Sequence, residues 1–260
     1  MPSTRVEWPL LTKRFTDYIQ EETRSWIGSD ERHFASTLEF AMGRLAEGRG
    51  VGEYLLDRLP NRPIRCLDVG GGSGGVATGL SNYEEIEVHS SEIALRDMHV
   101  VRAAMGVPFG VVVSPGDALP FGDATFDAVV FLETLEHVKD PRRLGAEIMR
   151  ILKPGGLCML TTPARLKYLF GPDPHYGVPG LLLLPDALQP LAAKRFANVR
   201  LYDVEHIYWT QRGVASEFPG ARVKEVFWNA PKPYRSAIMN ALWSALSKNL
   251  WDRIVLEKIS

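Results

Sequence analysis

The sequence CLDVGGGSGG combines an aspartate with five glycines and could hold a nucleotide-like ligand against bare main chain. Glycine adopts positive φ angles readily and lets a ligand approach the backbone closely. Two spacings fit this stretch. Gly70, Gly72 and Gly75 reproduce the G-x-G-x-x-G fingerprint of dinucleotide sites. Asp68 followed by Gly70, Gly72 and Gly74 suits a second class of cofactor, and the stretch alone leaves both interpretations open.

Further carboxylates end three of the predicted strands. Glu92 lies 22 residues after Gly70 and could accept hydrogen bonds from both hydroxyls of a ribose, a spacing that suits either class of cofactor. Asp117, in GDALPF, could accept a hydrogen bond from an adenine amino group, and the apolar residues that follow could pack against the adenine ring. Glu133 ends the fourth predicted strand.

Two histidines are candidates for a general base, because an imidazole titrates near neutral pH. His137 follows the fourth predicted strand in LEHV. His175 lies in GPDPHYGVPG with Asp173 and Tyr176, which could bind a polar substrate. No cysteine or histidine cluster of the sequence has the spacing of a zinc site, so no metal is predicted.

Short apolar segments alternate with helical periodicity through the middle of the chain. Strands are predicted over 64–69, 86–92, 109–117, 126–133, 157–163, 221–229 and 252–259. Helices are predicted over 10–27, 32–45, 50–59, 76–83, 93–106, 140–156, 210–218 and 235–251. This alternation predicts an α/β fold with a doubly wound, mostly parallel sheet, in which ligands bind beyond the carboxyl ends of the strands.

The chain divides by pattern into four regions. We expect an N-terminal helical cap over 1–60, a cofactor-binding core over 61–163, a substrate-binding insertion over 164–210, and a C-terminal completion of the sheet with a helix over 211–260. The insertion carries prolines, aromatic residues and a run of four leucines without clear periodicity.

The glycine loop, GDALPF, FDAVVFLETLEHVKDP and LKPGGLCMLTTP occur in an order that resembles the class I S-adenosylmethionine-dependent methyltransferases, in particular small-molecule enzymes with a type 11-like domain. The resemblance covers 63–163 and implies a seven-stranded Rossmann-like sheet. It also implies S-adenosyl-L-methionine as cofactor and S-adenosyl-L-homocysteine as product. The positions it assigns to the cofactor are Asp68, Gly70, Gly72, Gly74, Glu92, Asp117, Ala118, Leu132 and Glu133.

We therefore expect methyl transfer to a small-molecule acceptor, through a hydroxyl of a sugar or natural product. An NAD-dependent oxidoreductase and a non-catalytic S-adenosylmethionine-binding protein remain alternatives. A nucleic-acid substrate is disfavoured, because the net charge is −1 and LETL stands where N-methylating enzymes carry a proline-aromatic tetrapeptide.

Bulk composition sets the remaining expectations. Apolar residues make up 45% of the chain, which is enough for a full hydrophobic core. Cys66 and Cys158 are predicted to be buried free thiols of a protein in a reducing compartment. The N-terminus shows no apolar leader, and VPGLLLLP is too short to span a bilayer. We expect a cytoplasmic monomer or homodimer with no membrane span.

Overall fold

The computed structural model describes residues 3–27, 31–93, 105–107, 109–114, 118–168, 177–178, 180–196, 205–227 and 251–259. Three predicted features lie wholly or largely outside these residues: the helix over 93–106, the helix over 235–251, and the substrate-binding residues Asp173, His175 and Tyr176.

Seven strands form one sheet in the order β3-β2-β1-β4-β5-β7-β6. Their bounds are Ile64–Val69 (β1), Ile86–Glu92 (β2), Gly110–Val113 (β3), Phe126–Leu132 (β4), Leu152–Thr161 (β5), Ala221–Phe227 (β6) and Arg253–Lys258 (β7). β1 pairs in parallel with β2 and β4, and β2 with β3. β7 pairs antiparallel with β5 and β6. The predicted seven-stranded, mostly parallel sheet is confirmed.

Six helices of more than one turn are described. Their bounds are Trp8–Ile27 (α1), Glu31–Arg58 (α2), Gly75–Ser81 (α3), Pro141–Ile151 (α4), Gln189–Phe196 (α5) and Gln211–Ser216 (α6). The chain forms two compact units. Unit 1 comprises Met1–Val130 with Ile151–Gly156, and unit 2 comprises Phe131–Arg150 with Leu157–Ser260.

The N-terminal region holds two long helices rather than the three predicted. The predicted helices over 32–45 and 50–59 merge into α2, because its central glycines serve packing rather than termination. A Cβ on Gly48 would overlap the main chain of Val76, and one on Gly52 would overlap the ring of Tyr83. Glycine in a helix interior costs about 0.5–1 kcal/mol relative to alanine, and the close approach of α3 compensates for it here.

The helix predicted over 140–156 is shorter than expected. The Asp140 carboxylate caps it, accepting a hydrogen bond of 3.0 Å from the Arg143 N–H, and α4 then ends at Ile151. Residues 152–156 already belong to β5, with Gly155 at φ +74°. The predicted strand over 157–163 therefore begins five residues early, since Leu152 is buried and continues the extended chain.

Within unit 2 a small apolar cluster anchors the segment after β5. Leu181, Leu182, Ala193 and Ile207 are buried together. The buried guanidinium of Arg165 donates to three main-chain carbonyls, those of Leu182, Leu184 and Ile207, at 2.9–3.2 Å. Hydrogen bonds to carbonyls satisfy the donors of a buried cation and help it remain inside the protein.

Candidate functional site

Three glycines of the loop after β1 have left-handed backbone angles. Gly70, Gly72 and Gly74 have φ values of +74°, +51° and +78°. Gly74 is the N-cap of α3, so the loop leads directly from strand to helix. A Cβ built on Gly72 would meet no atom within 4 Å. The main chain at Gly72 therefore faces open space that a ligand can enter.

Gly75 has a different role from the other glycines of the loop. A Cβ there would lie 2.8 Å from the Arg44 Cβ, 3.1 Å from the Leu45 N and 3.2 Å from the Ala41 O. The group that approaches this glycine is α2, not a ligand. The dinucleotide spacing depends on Gly75, whereas the alternative spacing uses Gly70, Gly72 and Gly74.

The carboxylate of Glu92 contacts the glycine loop. Its Oε2 accepts a hydrogen bond of 2.9 Å from the Gly72 N–H, and its Oε1 accepts one of 2.7 Å from the Ile93 N–H. Ser91, the preceding residue, also supports the loop, since its carbonyl accepts bonds from the N–H groups of Gly70 and Gly71. The end of β2 thus fixes both the loop and an acid beside the open face of Gly72.

Asp68 is buried beneath the loop, with 2% of its surface exposed. Its Oδ2 lies 3.4 Å from the hydroxyl of Ser90. Burial raises the pKa of Asp68 to about 7, and the negative charge of Glu92 adds to the shift. This carboxyl therefore titrates close to neutral pH at the base of the loop.

The predicted adenine-binding segment is described in part. Asp117 lies outside the described residues, and Ala118 is exposed. The carbonyl of Ala118 accepts a hydrogen bond from the hydroxyl of Ser114. Leu119 is buried, and the rings of Phe121 and Phe126 pack edge-to-face with their centroids 4.8 Å apart.

At the carboxyl end of β4, Leu132 is buried and Glu133 is half-buried. Glu133 has a φ of +51°, unusual for a residue with a side chain. Its N–H donates to the carbonyl and the hydroxyl of Thr161, at 3.1 and 2.9 Å. β5 thus fixes the main chain at this turn.

Glu136 and His137 occupy one short 3₁₀ helix but differ in exposure. His137 is exposed, whereas Glu136 is fully buried. The carbonyl of Glu136 accepts hydrogen bonds from the N–H groups of Glu205 (2.7 Å) and His206 (3.2 Å). Burial raises the pKa of the Glu136 carboxyl, and the neighbouring charge of Glu133 raises it further.

Sequence reasoning gave Glu136 no chemical role. The available signal was an acid three residues after Glu133 in a segment that follows a fully buried strand. Tyr208 also lies near this buried acid. Burial and the charges of Glu217 and Glu136 raise the pKa of its phenol. Unit 2 therefore contains one buried acid, Glu136, that interacts with half-buried Glu133 and Tyr208.

A cavity of about 810 Å³ lies in unit 1 at the amino end of β2. Its lining includes Ile86, Val88 and His89. The glycine loop lies at the carboxyl ends of β1 and β2 and does not line it. Among the described residues, no group of three or more histidines, cysteines and acids could hold a metal ion.

Residues 67–160 match the family described as "Methyltransferase domain". Over 118 residues the chain is 40% identical to an uncharacterized methyltransferase of Mycobacterium tuberculosis, a match that covers 43% of this chain and 44% of the relative. A second match, to an uncharacterized methyltransferase of a Mycobacterium species, is 40% identical over 95 residues and covers 36% of this chain and 37% of the relative. The chain thus matches less than half the length of these curated relatives.

Two solved structures share the fold. A protein from Galdieria sulphuraria, proposed to be a sarcosine dimethylglycine methyltransferase, aligns with a TM-score of 0.56 at 17% identity, covering 94% of this chain and 98% of that one. The YcgJ protein from Bacillus subtilis aligns with a TM-score of 0.52 at 16% identity, covering 83% and 99%. At these identities the likeness concerns the fold alone.

Proposed function

We propose that the chain, whose residues 67–160 match a methyltransferase domain, is a class I methyltransferase that transfers a methyl group from S-adenosylmethionine to a small-molecule acceptor. The acceptor group we propose is a hydroxyl of a sugar or natural product. The observation that carries the proposal is the glycine loop, whose main chain is open at Gly72 with the Glu92 carboxylate bonded beside it.

The residues present fit this cofactor. Open space at Gly72 would take a ligand that contacts main chain, and Glu92 keeps acceptor capacity for hydroxyl groups after its two backbone bonds. Main chain at Gly70, Gly72 and Gly74 would hold the methionine part, and Glu92 the ribose. The remaining assigned positions are Asp68 at the loop, Asp117 and Ala118 at the adenine, and Leu132 and Glu133 near the methyl group.

When bound, S-adenosylmethionine supplies a methyl group that is already activated by its sulfonium. The protein then has to orient the acceptor and exclude water. A hydroxyl acceptor also requires removal of a proton, for which His137 and His175 are the candidate bases and Asp173 and Tyr176 the candidate acceptor contacts. Glu136 is a third candidate, because it adjoins His137 in the same 3₁₀ turn and burial raises the pKa of its carboxyl.

Calorimetric titration tests the cofactor site directly. We expect S-adenosylhomocysteine to bind and NAD not to bind. Glu92→Ala should weaken the binding roughly 5- to 150-fold, the range for a lost buried polar partner. Binding of NAD without S-adenosylhomocysteine would favour the oxidoreductase alternative. Binding of S-adenosylhomocysteine without turnover on any sugar or phenol offered would favour a non-catalytic binding protein.

A matched pair of glycine variants separates strain from ligand contact. Gly72 and Gly220 both have positive φ, +51° and +79°, and a Cβ on either would meet nothing within 4 Å. Both Gly72→Val and Gly220→Val should lower stability through backbone strain. Only Gly72→Val should abolish S-adenosylhomocysteine binding. If Gly72→Val binds like the wild type, the loop does not hold the cofactor.

A further inference from the structure

Among the described residues between β5 and α6, unit 2 exposes four large apolar side chains. Leu184, Leu188, Leu191 and Trp209, here called the Leu–Trp patch, are between 37% and 69% exposed. Single exposed leucines are ordinary on protein surfaces, whereas a contiguous group of them marks a contact surface.

Contacts of Arg165 and Gln189 link Leu184 to Trp209 and to the start of α5. The Arg165 guanidinium donates to the Leu184 carbonyl at 3.2 Å, and its Cζ lies 4.9 Å from the centre of the Trp209 ring. Leu184 and Trp209 therefore flank one buried cation. The Gln189 amide also donates to the Leu184 carbonyl, at 2.9 Å, which fixes the start of α5 against the same point. The Leu184 carbonyl thus accepts hydrogen bonds from both Arg165 and Gln189.

The exposed leucines lie on the outer side of their helical segment. Ala193 is buried in the apolar cluster of unit 2. Leu191, two residues earlier, lies about 200° around the helix from Ala193 and is 69% exposed. Leu188 ends the 3₁₀ turn directly before α5 and is 49% exposed. The side of α5 that carries Ala193 is therefore packed, while the opposite side presents Leu191 to solvent.

Positive charge accompanies these leucines. Lys194 and Arg195 are exposed and follow Leu191 by three and four residues, on the same side of α5. The α5 sequence, QPLAAKRF, contains no acid. The whole chain has a net charge of −1, so this basic character is local.

We propose that the Leu–Trp patch, with Lys194 and Arg195, docks on the surface of a bilayer that contains anionic phospholipid. Leucines and a tryptophan beside basic residues are the side chains that interfacial membrane-binding segments present to the bilayer. Tryptophan favours the headgroup region, and lysine and arginine reach the lipid charges from apolar positions. A second copy of the chain fits less well, because a symmetric contact would bring the same cations together.

The docking surface lies on the bilayer and does not cross it. No helix among the described residues is long and apolar enough to span a membrane. Docking also goes beyond methyl transfer, since it requires neither cofactor nor acceptor. The proposal and the proposed enzymatic activity can therefore fail independently.

Vesicle flotation tests the proposal with the full-length chain. The protein should float with vesicles of phosphatidylcholine and phosphatidylserine, float less with phosphatidylcholine alone, and be released by salt. Lys194→Gln with Arg195→Gln should weaken partitioning about 30-fold, the effect of removing two cations near an anionic surface. Leu188→Ser with Leu191→Ser should abolish flotation. The control Phe40→Ser removes an apolar side chain that is 59% exposed on α2 and should float like the wild type.

Each variant must first show the thermal unfolding temperature of the wild type. Absence of flotation with anionic vesicles would overturn the proposal, as would equal flotation of the leucine variant. Sedimentation velocity tests the competing explanation, that the patch binds a second copy of the chain. If the wild type is a dimer that Leu188→Ser with Leu191→Ser converts to a monomer, the patch is a contact between copies of the chain.

Discussion

Gly79→Ala should force α2 and α3 apart. The added Cβ would lie 2.7 Å from the Leu45 O, 2.9 Å from the Arg49 N and 2.9 Å from the Gly48 C. All three are main-chain atoms of α2, so no change of side-chain rotamer can relieve the overlap. Overpacking of this kind typically costs about 1–3 kcal/mol. We expect the free energy of unfolding to fall by that amount.

Gly50→Ala is the matched control, because Gly50 belongs to the same contact-forming helix but faces solvent. A Cβ there would meet no atom within 4 Å. The substitution should stabilise the protein by about 0.5–1 kcal/mol, since alanine loses less conformational freedom than glycine in a helix. The same chemical change should therefore have opposite signs at two positions of one helix pair.

Urea unfolding followed by far-UV circular dichroism measures both variants. For a chain of this size each kcal/mol should shift the thermal midpoint by about 2–4 °C, which gives a second measurement. Gly79→Ala should lower the urea midpoint with little change in the m-value. If Gly79→Ala is as stable as the wild type, or Gly50→Ala loses as much stability, the close approach of α2 and α3 is wrong.

Three further outcomes are expected. Burial raises the folded-state pKa of Asp68 to about 7, so the stability that its protonated form contributes is present at acid pH and is lost as pH rises through that value. The free energy of unfolding of the wild type should therefore fall between about pH 5 and pH 8, and Asp68→Asn should reduce that fall by roughly 2–3 kcal/mol. An unchanged pH profile of stability would contradict this. Trp251→Phe should lower the free energy of unfolding by about 1–3 kcal/mol, because the buried indole N–H donates at 2.9 Å to the main-chain carbonyl of Thr162. Trp209→Phe, at an exposed position, is the control and should leave the thermal midpoint unchanged. His137→Ala or His175→Ala should reduce turnover about 10²–10⁴-fold without changing the affinity for S-adenosylhomocysteine. If neither variant slows turnover tenfold, the base is another group, and Glu136→Gln is the next variant to measure.

Local patterns predicted the parallel core of the sheet because its strands are short, apolar and bounded by glycines and acids. β1 and β2 have the predicted bounds, and β4 differs by one residue. The positive φ angles of Gly70, Gly72 and Gly74 agree with a loop built for main-chain contact. These features depend on residues close in sequence, which periodicity and turn chemistry describe well.

Features that depend on distant residues were not predictable in the same way. Gly48 and Gly52 resemble helix breakers until α3 is placed against them. Burial of Glu136 depends on main chain 69 and 70 residues further along, at Glu205 and His206. The buried Arg165 looks like an ordinary surface cation in sequence, and its acceptors are carbonyls of residues 17 to 42 positions away.

The position of β7 has a consequence for biosynthesis. β7 lies between β5 and β6, although its residues are synthesised after both. Until residues 253–258 leave the ribosome, β6 lacks the strand with which it pairs, and the β5 edge from Leu157 to Leu160 has no antiparallel neighbour. Unpaired strand edges bind other chains readily. The β5 edge of a nascent polypeptide is therefore open to misassociation until β7 has left the ribosome, the stage at which chaperone contact would matter most.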